Sequence, residues 1–245
     1  DLGYYFSSID FYVENLNDNK VNLNYEIDLG EKAKIKKISF IGNKVFKNSK
    51  LSSVIISEEY KFWKIISGKK YLNENMIKFD KRLLKNFYLN KGYYDVKINS
   101  SFAKLIDDNE FELIFNIDAN KKYFFGNLSL VLPDDYDETN FTKLQNIFSE
   151  IEGDKYSLNS VNEILEEIDL VVLNKQYEAI TASVNEEILL EKINLTFVIE
   201  ESEKFLVERI NIYGNNVTRE NVIRNNLEID EGDIFNELLT NKSKN

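Results

Sequence analysis

Asp134-Asp135-Tyr136-Asp137-Glu138 packs four carboxylates into one short stretch and is the first place to look for chemistry in this chain. A calcium loop starting at Asp135 would need glycine at its sixth position, for the sharp turn, and a bidentate glutamate at its twelfth. The chain has Asn140 and Asn146 there, so the stretch reads as a solvated turn. Glu58-Glu59 and Glu166-Glu167 are neighbours in sequence, so the two carboxylates of each pair diverge instead of converging on one substrate. Histidine is absent, which removes the usual general base and the commonest metal ligand. Cysteine is absent too, so there is no thiol chemistry and no disulfide framework, and the redox compartment stays open. No phosphate loop, nucleophile elbow or metal-ligand spacing occurs. The residue types predict a chain that binds rather than one that catalyses, with no catalytic residue, metal or cofactor.

Charge points the same way. The 245 residues carry a net charge of −11, unevenly spread. Residues 31–120 hold 18 Lys and Arg against 11 Asp and Glu, a net +7, whereas residues 121–203 hold 6 against 18, a net −12. A basic segment beside an acidic one implies mutual docking, two different partners, or simple drift of a solvated surface. The Lys-rich stretch 32–50 invites a nucleic-acid reading, but it lacks the basic-aromatic pattern of an RNA-binding sheet and the chain is acidic overall, so no nucleic acid is expected. Facing acidic partners or headgroups is another use for it. Hydrophobic residues at 43% and aromatics at 13% can support folded cores. No apolar run approaches the roughly 18–20 residues that span a bilayer. The chain opens on Asp1-Leu2-Gly3-Tyr4 without Met and closes on N-K-S-K-N within a helical pattern, so it is expected to be a piece of a longer protein.

The elements that would present a binding surface emerge from a repeat. The stretch Ile27–Asn43 reads as a strand end, a polar joint and a new strand closed by a Gly-Asn turn; the join returns from Ile117 and from Ile199, about 80–90 residues apart each time. Residues 4–28 alternate as a hairpin around N-D-N-K, with one half-buried face. In the unit 31–120, a strand Ile35–Ile41 ends at Gly42-Asn43, Asn48 caps a short helix, and Asn73 caps a longer one that stops at Gly92. Two strands follow, the second alternating Phe111, Leu113, Phe115 and Ile117. The order is βααββ. Residues 121–203 repeat it with weaker signals: strand Phe125–Leu132, helices capped by Thr139 and Ser157, then two strands. Residues 204–245 begin it again, with Gly214-Asn215 and a helix capped by Thr218. Gly68, Gly153 and Gly232 each precede an aromatic (Tyr71, Tyr156, Phe235) by three residues, at the same point before the second helix. The fold class is therefore α+β: tandem βααββ units, each a three-stranded mixed sheet covered on one face by two helices.

This pattern, with G-N after the first strand, G-x-x-[YF] before the second helix and G-Y after it, resembles the POTRA domains that form the periplasmic arm of BamA-type outer-membrane β-barrel assembly factors. The resemblance extends along the whole chain. It implies the closing hairpin of one unit (1–30), two complete units (31–120 and 121–203) and the start of another (204–245), corresponding to the end of the second POTRA, the third, the fourth and the beginning of the fifth. It also implies a place on the periplasmic face of the outer membrane, beside a C-terminal β-barrel. The partners it implies are unfolded outer-membrane proteins and accessory outer-membrane lipoproteins. A related translocation or two-partner secretion pore, or a generic α+β interaction array, would share the fold.

Open sheet edges give this reading its chemistry, because their unpaired N–H and C=O groups can pair with another extended chain. In the resembling family the second strand of a unit lies at such an edge. Here that strand is expected at Tyr93–Ser100, with Tyr93, Tyr94, Asp95, Val96, Lys97 and Ile98 as contact residues, and at Tyr177–Val184, with Tyr177 and Ile180. The alternative is an ordinary edge that Asp95 and Lys97 protect from aggregation. Tyr60, Phe62 and Trp63, in an aromatic loop that resembles that of the third POTRA, are expected to contact a partner lipoprotein or to pack on their own helices.

Overall fold

The computed structural model describes residues 3–61, 68–175, 180–201, 203–235, 239–240 and 243. They form two compact units, 1–122 and 123–245.

The first unit opens with a hairpin of β1 (Ser8–Asn15) and β2 (Val21–Asp28), turned by Asp18 and Asn19 at positive φ. Ile9 pairs with Ile27, Phe11 with Tyr25 and Val13 with Leu23, which puts the apolar residues on one face. That face was expected to be half buried. It is exposed, Phe11 by 66% and Tyr25 by 62%, because the hairpin carries no third strand and no helical cover among the described residues. Its base is tied down: the Ala33 amide donates to the Gly3 carbonyl at 2.9 Å and Phe6 stacks on Phe111.

A mixed sheet follows, with β5 (Glu110–Asp118) at its centre, parallel to β3 (Lys34–Ile41) and antiparallel to β4 (Lys97–Asp107). The connection from β3 passes through α1 (Asn48–Ser52) and α2 (Glu74–Leu89), giving the βααββ order. Alternation buries Phe111, Leu113, Phe115 and Ile117 of β5 against Leu51 of α1 and Leu84 and Tyr88 of α2. Each such side chain contributes about 1.5–3 kcal/mol by leaving water. A bulge between Ile35 and Lys37 shifts the alternation of β3, so Ile35, Ile38 and Phe40 all face the core. Gly42, at φ +84°, closes the turn after β3; a Cβ there would stand 2.4 Å from the Ile117 carbonyl oxygen, which only glycine avoids.

Two polar groups pin the helices. Asp80 of α2 is fully buried and accepts the Ile56 amide at 2.7 Å and, more weakly, that of Ser57, so the chain leaving α1 is held against α2. Burial raises its carboxyl pKa, and the bonds from the Ile56 and Ser57 amides offset part of the rise. Asn73 caps α2 as expected, accepting from the Met76 amide. Asn48 does not cap α1; it is the first helical residue, and Lys47 at the cap position makes no side-chain bond.

The second unit has the same order: β6 (Phe124–Val131), α3 (Thr142–Ile151), α4 (Leu158–Lys175), β7 (Ile180–Leu189) and β8 (Lys192–Glu201), with β8 central. Ile193, Leu195, Phe197 and Ile199 of β8 meet Phe141, Leu144, Phe148, Ile164 and Ile168 in the core. Asp137, not Thr139, caps the turn before α3, accepting the Thr139 amide at 2.9 Å. Ser157 precedes α4 and accepts the Ser160 amide at 3.3 Å. Beyond Glu203 the first strand of a further repeat was expected. Residues 203–213 instead make a single bridge, Leu206 to Ile234, because no other described segment pairs with them. The short α5 (Glu220–Arg224) follows a turn in which Asn215, rather than Thr218, supplies the accepting oxygen.

Candidate functional site

Each three-stranded sheet has two edges, and in the first unit they are treated differently. The outer edge of β3 is covered. Tyr60 donates its amide to the Ile35 carbonyl, Leu72 donates to Ala33 at 2.9 Å, and Lys34 bridges Tyr71. The same cover recurs twice in the second unit, where Phe125 donates to Asp154 and Tyr156 to Tyr123, and again where Val207 donates to Asp233 and Phe235 to Phe205. This pairing explains the repeated glycine-to-aromatic spacing, with one correction. Leu72, not Tyr71, occupies the place of Tyr156 and Phe235, so Gly68 stands one residue further back than Gly153 and Gly232. Gly153 and Gly232 donate back to Phe125 and Val207, whereas Gly68 opens a short 3-10 turn.

The edge of β4 is open. No backbone bond joins Lys97–Asp107 to any described residue outside β5. Phe102, Leu105 and Ile106 are about half exposed on this edge strand, at 46%, 50% and 51%. Long exposed edges of this kind are usually blunted by charge, bulge or cover. Here Lys97 and Lys104 supply charge and two bulges break the register with β5.

The expected contact residues fall on both sides of this boundary. Tyr93 and Val96 are not on the edge; both are buried in the core, and Tyr94 and Asp95 lie half buried in the turn between them. The strand starts at Lys97, so Lys97 and Ile98 belong to it and the edge runs on to Asp107. The reason is the end of α2. Gly92 turns at φ +89°, and the Tyr93 amide returns to the Tyr88 carbonyl at 3.0 Å, which folds the next four residues onto the helix before a strand can begin. Asn120 fixes that turn by donating to the Asp95 carbonyl at 2.7 Å. In the second unit Ile180 opens the edge strand β7, opposite Glu201; Tyr177 lies outside the described residues. Phe62 and Trp63 lie outside them as well. Tyr60 is half buried against β3, with the ammonium groups of Lys70 and Lys34 within 5.1 and 5.5 Å of its ring centre.

Two charged features border the sheet. On its solvent face Lys37 pairs with Glu112 at 2.8 Å and Lys36 with Glu110 at 2.9 Å. The Lys37 bond, then the Ser39 hydroxyl, hold the Glu112 carboxyl below its ordinary value. Between α2 and the start of β4 lies an open groove of about 550 Å³, walled by Lys78, Lys81, Arg82 and Lys85 on the helix and by Lys97 on the strand, with Val96 and Ile98 beneath. The sequence carries a signal for this basic row, K-x-x-K-R-x-x-K, at the spacing that places charges on one helical face.

Comparison with known proteins places the fold. The POTRA family model, described as a surface antigen variable number repeat, matches residues 33–120 and 205–245. It leaves out residues 121–204, which have neither Gly-Asn after their first strand nor Gly-Tyr after their second helix, although their sheet has the same order as the first. The chain is 26% identical over 231 residues to an outer membrane protein assembly factor BamA of Neorickettsia risticii, covering 94% of this chain and 31% of that protein. It is 28% identical over 218 residues to the BamA of Neisseria meningitidis, covering 88% and 27%. The chain thus spans about a third of these relatives' length. The crystal structure of Haemophilus influenzae BamA POTRA3-5 superposes with a TM-score of 0.62 at 16% identity, over 86% of this chain and 83% of that one. Family match, element order and sheet topology agree: the chain belongs to the POTRA family.

Proposed function

We propose that this chain is a non-enzymatic, polypeptide-binding arm of an outer-membrane β-barrel assembly factor, standing on the periplasmic face of the outer membrane. It receives extended segments of unfolded outer-membrane proteins by strand addition, at the β4 edge in the first unit and the β7 edge in the second. The same reading divides the chain into a closing hairpin (1–30), two complete POTRA units (31–120 and 121–203) and the start of a further one (204–245). The aromatic loop at Tyr60, Phe62 and Trp63 contacts an accessory lipoprotein of the assembly complex, and a β-barrel elsewhere in the full protein meets the membrane. The observation that carries the reading is the contrast between the two edges of one sheet: β3 is covered by its own chain, while the outer row of peptide groups of β4 has no backbone partner among the described residues. A ladder bond contributes only about 0.5–1.5 kcal/mol net, so binding is weak, sequence-tolerant and reversible, as handover of a client requires. An extended peptide taken from an outer-membrane barrel strand, titrated into the labelled chain, tests this. The amide resonances of Lys97–Asp107 are expected to shift; a titration that leaves them unmoved at millimolar peptide removes the reading.

A further inference from the structure

The β4 edge is bordered at its start by a basic surface. The wall of α2 sets Lys78, Lys81, Arg82 and Lys85 at helical spacing, Lys97 faces them from the strand, and among the described residues no acidic one lines the groove. Lys78 pairs with Glu74 and Arg82 rests over the Phe79 ring, but Lys81, Lys85 and Lys97 have no ion-pair partner among the described residues. Five clustered cations with so little compensation form a local positive field in a chain whose net charge is −11. The dimensions suit a strand. The seven helical steps from Lys78 to Lys85 rise about 10 Å. Alternate side chains of an extended chain recur about every 7 Å, so two carboxylates on one side of an added strand reach the row together.

We propose that the groove between α2 and β4 takes an extended acidic polypeptide segment, whose backbone lengthens the sheet at β4 while its carboxylates meet Lys81, Lys85 and Lys97. This rests on the strand-addition reading and adds a substrate class to it. An anionic lipid surface would use the same cations but leaves the adjacent row of peptide groups unpaired, which favours the polypeptide. The second unit provides the contrast. Glu166 and Asp169 stand nine and twelve residues after Ser157, as Arg82 and Lys85 stand after Asn73, so the matching row of α4 carries the opposite charge and should disfavour acidic segments.

The test uses short labelled peptides alternating Val with Glu, Gln or Lys. Their binding is measured by fluorescence anisotropy to the chain and to its Lys81→Glu/Lys85→Glu variant. At low salt the Glu peptide should bind about tenfold more tightly than the Gln peptide, as a few partly exposed ion pairs allow. That advantage should disappear in the variant and at about 1 M salt. Both substitutions fall on the partly exposed and exposed side of α2, so the circular dichroism spectrum should not change. Equal binding of the Glu and Gln peptides overturns the acidic preference and leaves strand addition standing. Failure of all three peptides to bind overturns both. Anionic phosphatidylglycerol vesicles provide the remaining arm. If they bind through the same two lysines and the Glu peptide does not displace them, the groove serves a membrane and the proposal falls.

Discussion

The phenol of Tyr88, in the last turn of α2, donates to the main-chain carbonyl of Lys44, in the turn that follows β3. One side chain thereby ties the longer helix to the loop that redirects the first strand, and Phe46, Phe87 and Tyr93 pack around its ring edge to face. Burial, with Tyr93 beside it, pushes the Tyr88 hydroxyl up to about 12. Tyr88→Phe leaves the Lys44 carbonyl without its buried donor and should lower stability by about 1–2 kcal/mol in urea denaturation. Tyr88→Ala empties the centre of the cluster and should cost about 3–5 kcal/mol.

Gly42 sets the other end of the same turn. A methyl group at this position meets the Ile117 carbonyl and the Asn116 side chain while holding φ at +84°. Gly42→Ala should therefore destabilise the first unit by more than about 2 kcal/mol. Gly214→Ala, whose Cβ would meet nothing within 4 Å, incurs only the conformational term and should cost about 1 kcal/mol.

Asp80 and Glu112 make opposite contributions to stability as pH changes. Burial raises the folded-state value of Asp80 above its ordinary 3.8, so between those values the folded chain holds more protons than the unfolded one. The contribution of Asp80 therefore grows as pH falls through that window and shrinks as pH rises. Glu112 is lowered from 4.5 by Lys37 and Ser39, so its contribution is present above 4.5 and is lost as pH falls through the lowered value. Denaturation of Asp80→Asn and Glu112→Gln from pH 3 to 7 should show differences from the parent chain that slope in opposite senses. At neutral pH Asp80→Asn keeps an acceptor for the Ile56 amide, whereas Asp80→Ala should lose about 2 kcal/mol.

The exposed apolar residues of β4 allow binding to be separated from folding. Phe102→Lys and Ile106→Lys replace side chains that are about half exposed, so stability should change by no more than about 0.5–1 kcal/mol. Client peptide affinity should nevertheless fall by about threefold or more, because added charge is how natural edges repel incoming strands. Parallel melting and anisotropy curves for the two variants check both statements.

Much of this architecture is legible in the residues, for identifiable reasons. β5 and β8 are central strands with one face against helices, so Phe111 to Ile117 and Ile193 to Ile199 alternate without interruption. β4 is an edge strand with bulges, and N-S-S-F carries no alternation. Val96, buried as part of a turn, has the same residue type as a strand member, so the expected start came four residues early. Helix caps were misplaced where several polar residues compete: Asp137 beside Thr139, and Asn215 beside Thr218. The one-residue offset of Leu72 depends on backbone pairing between segments far apart in sequence, which local spacing does not encode. Asp80 stands next to Lys81 and Arg82 in sequence, yet it shares a helical face with Met76 and Leu84 and is buried there.

The central claim is that β4, rather than β3 or the hairpin face, accepts an added strand. The direct measurement is a titration of the isotope-labelled chain with an extended outer-membrane barrel peptide, following every backbone amide. The account predicts shifts and slowed hydrogen exchange along Lys97–Asp107, with residues Lys34–Ile41 unmoved because their outer edge is already occupied. Shifts confined to β3 or to the β1–β2 hairpin, with β4 unaffected at saturating peptide, would contradict it.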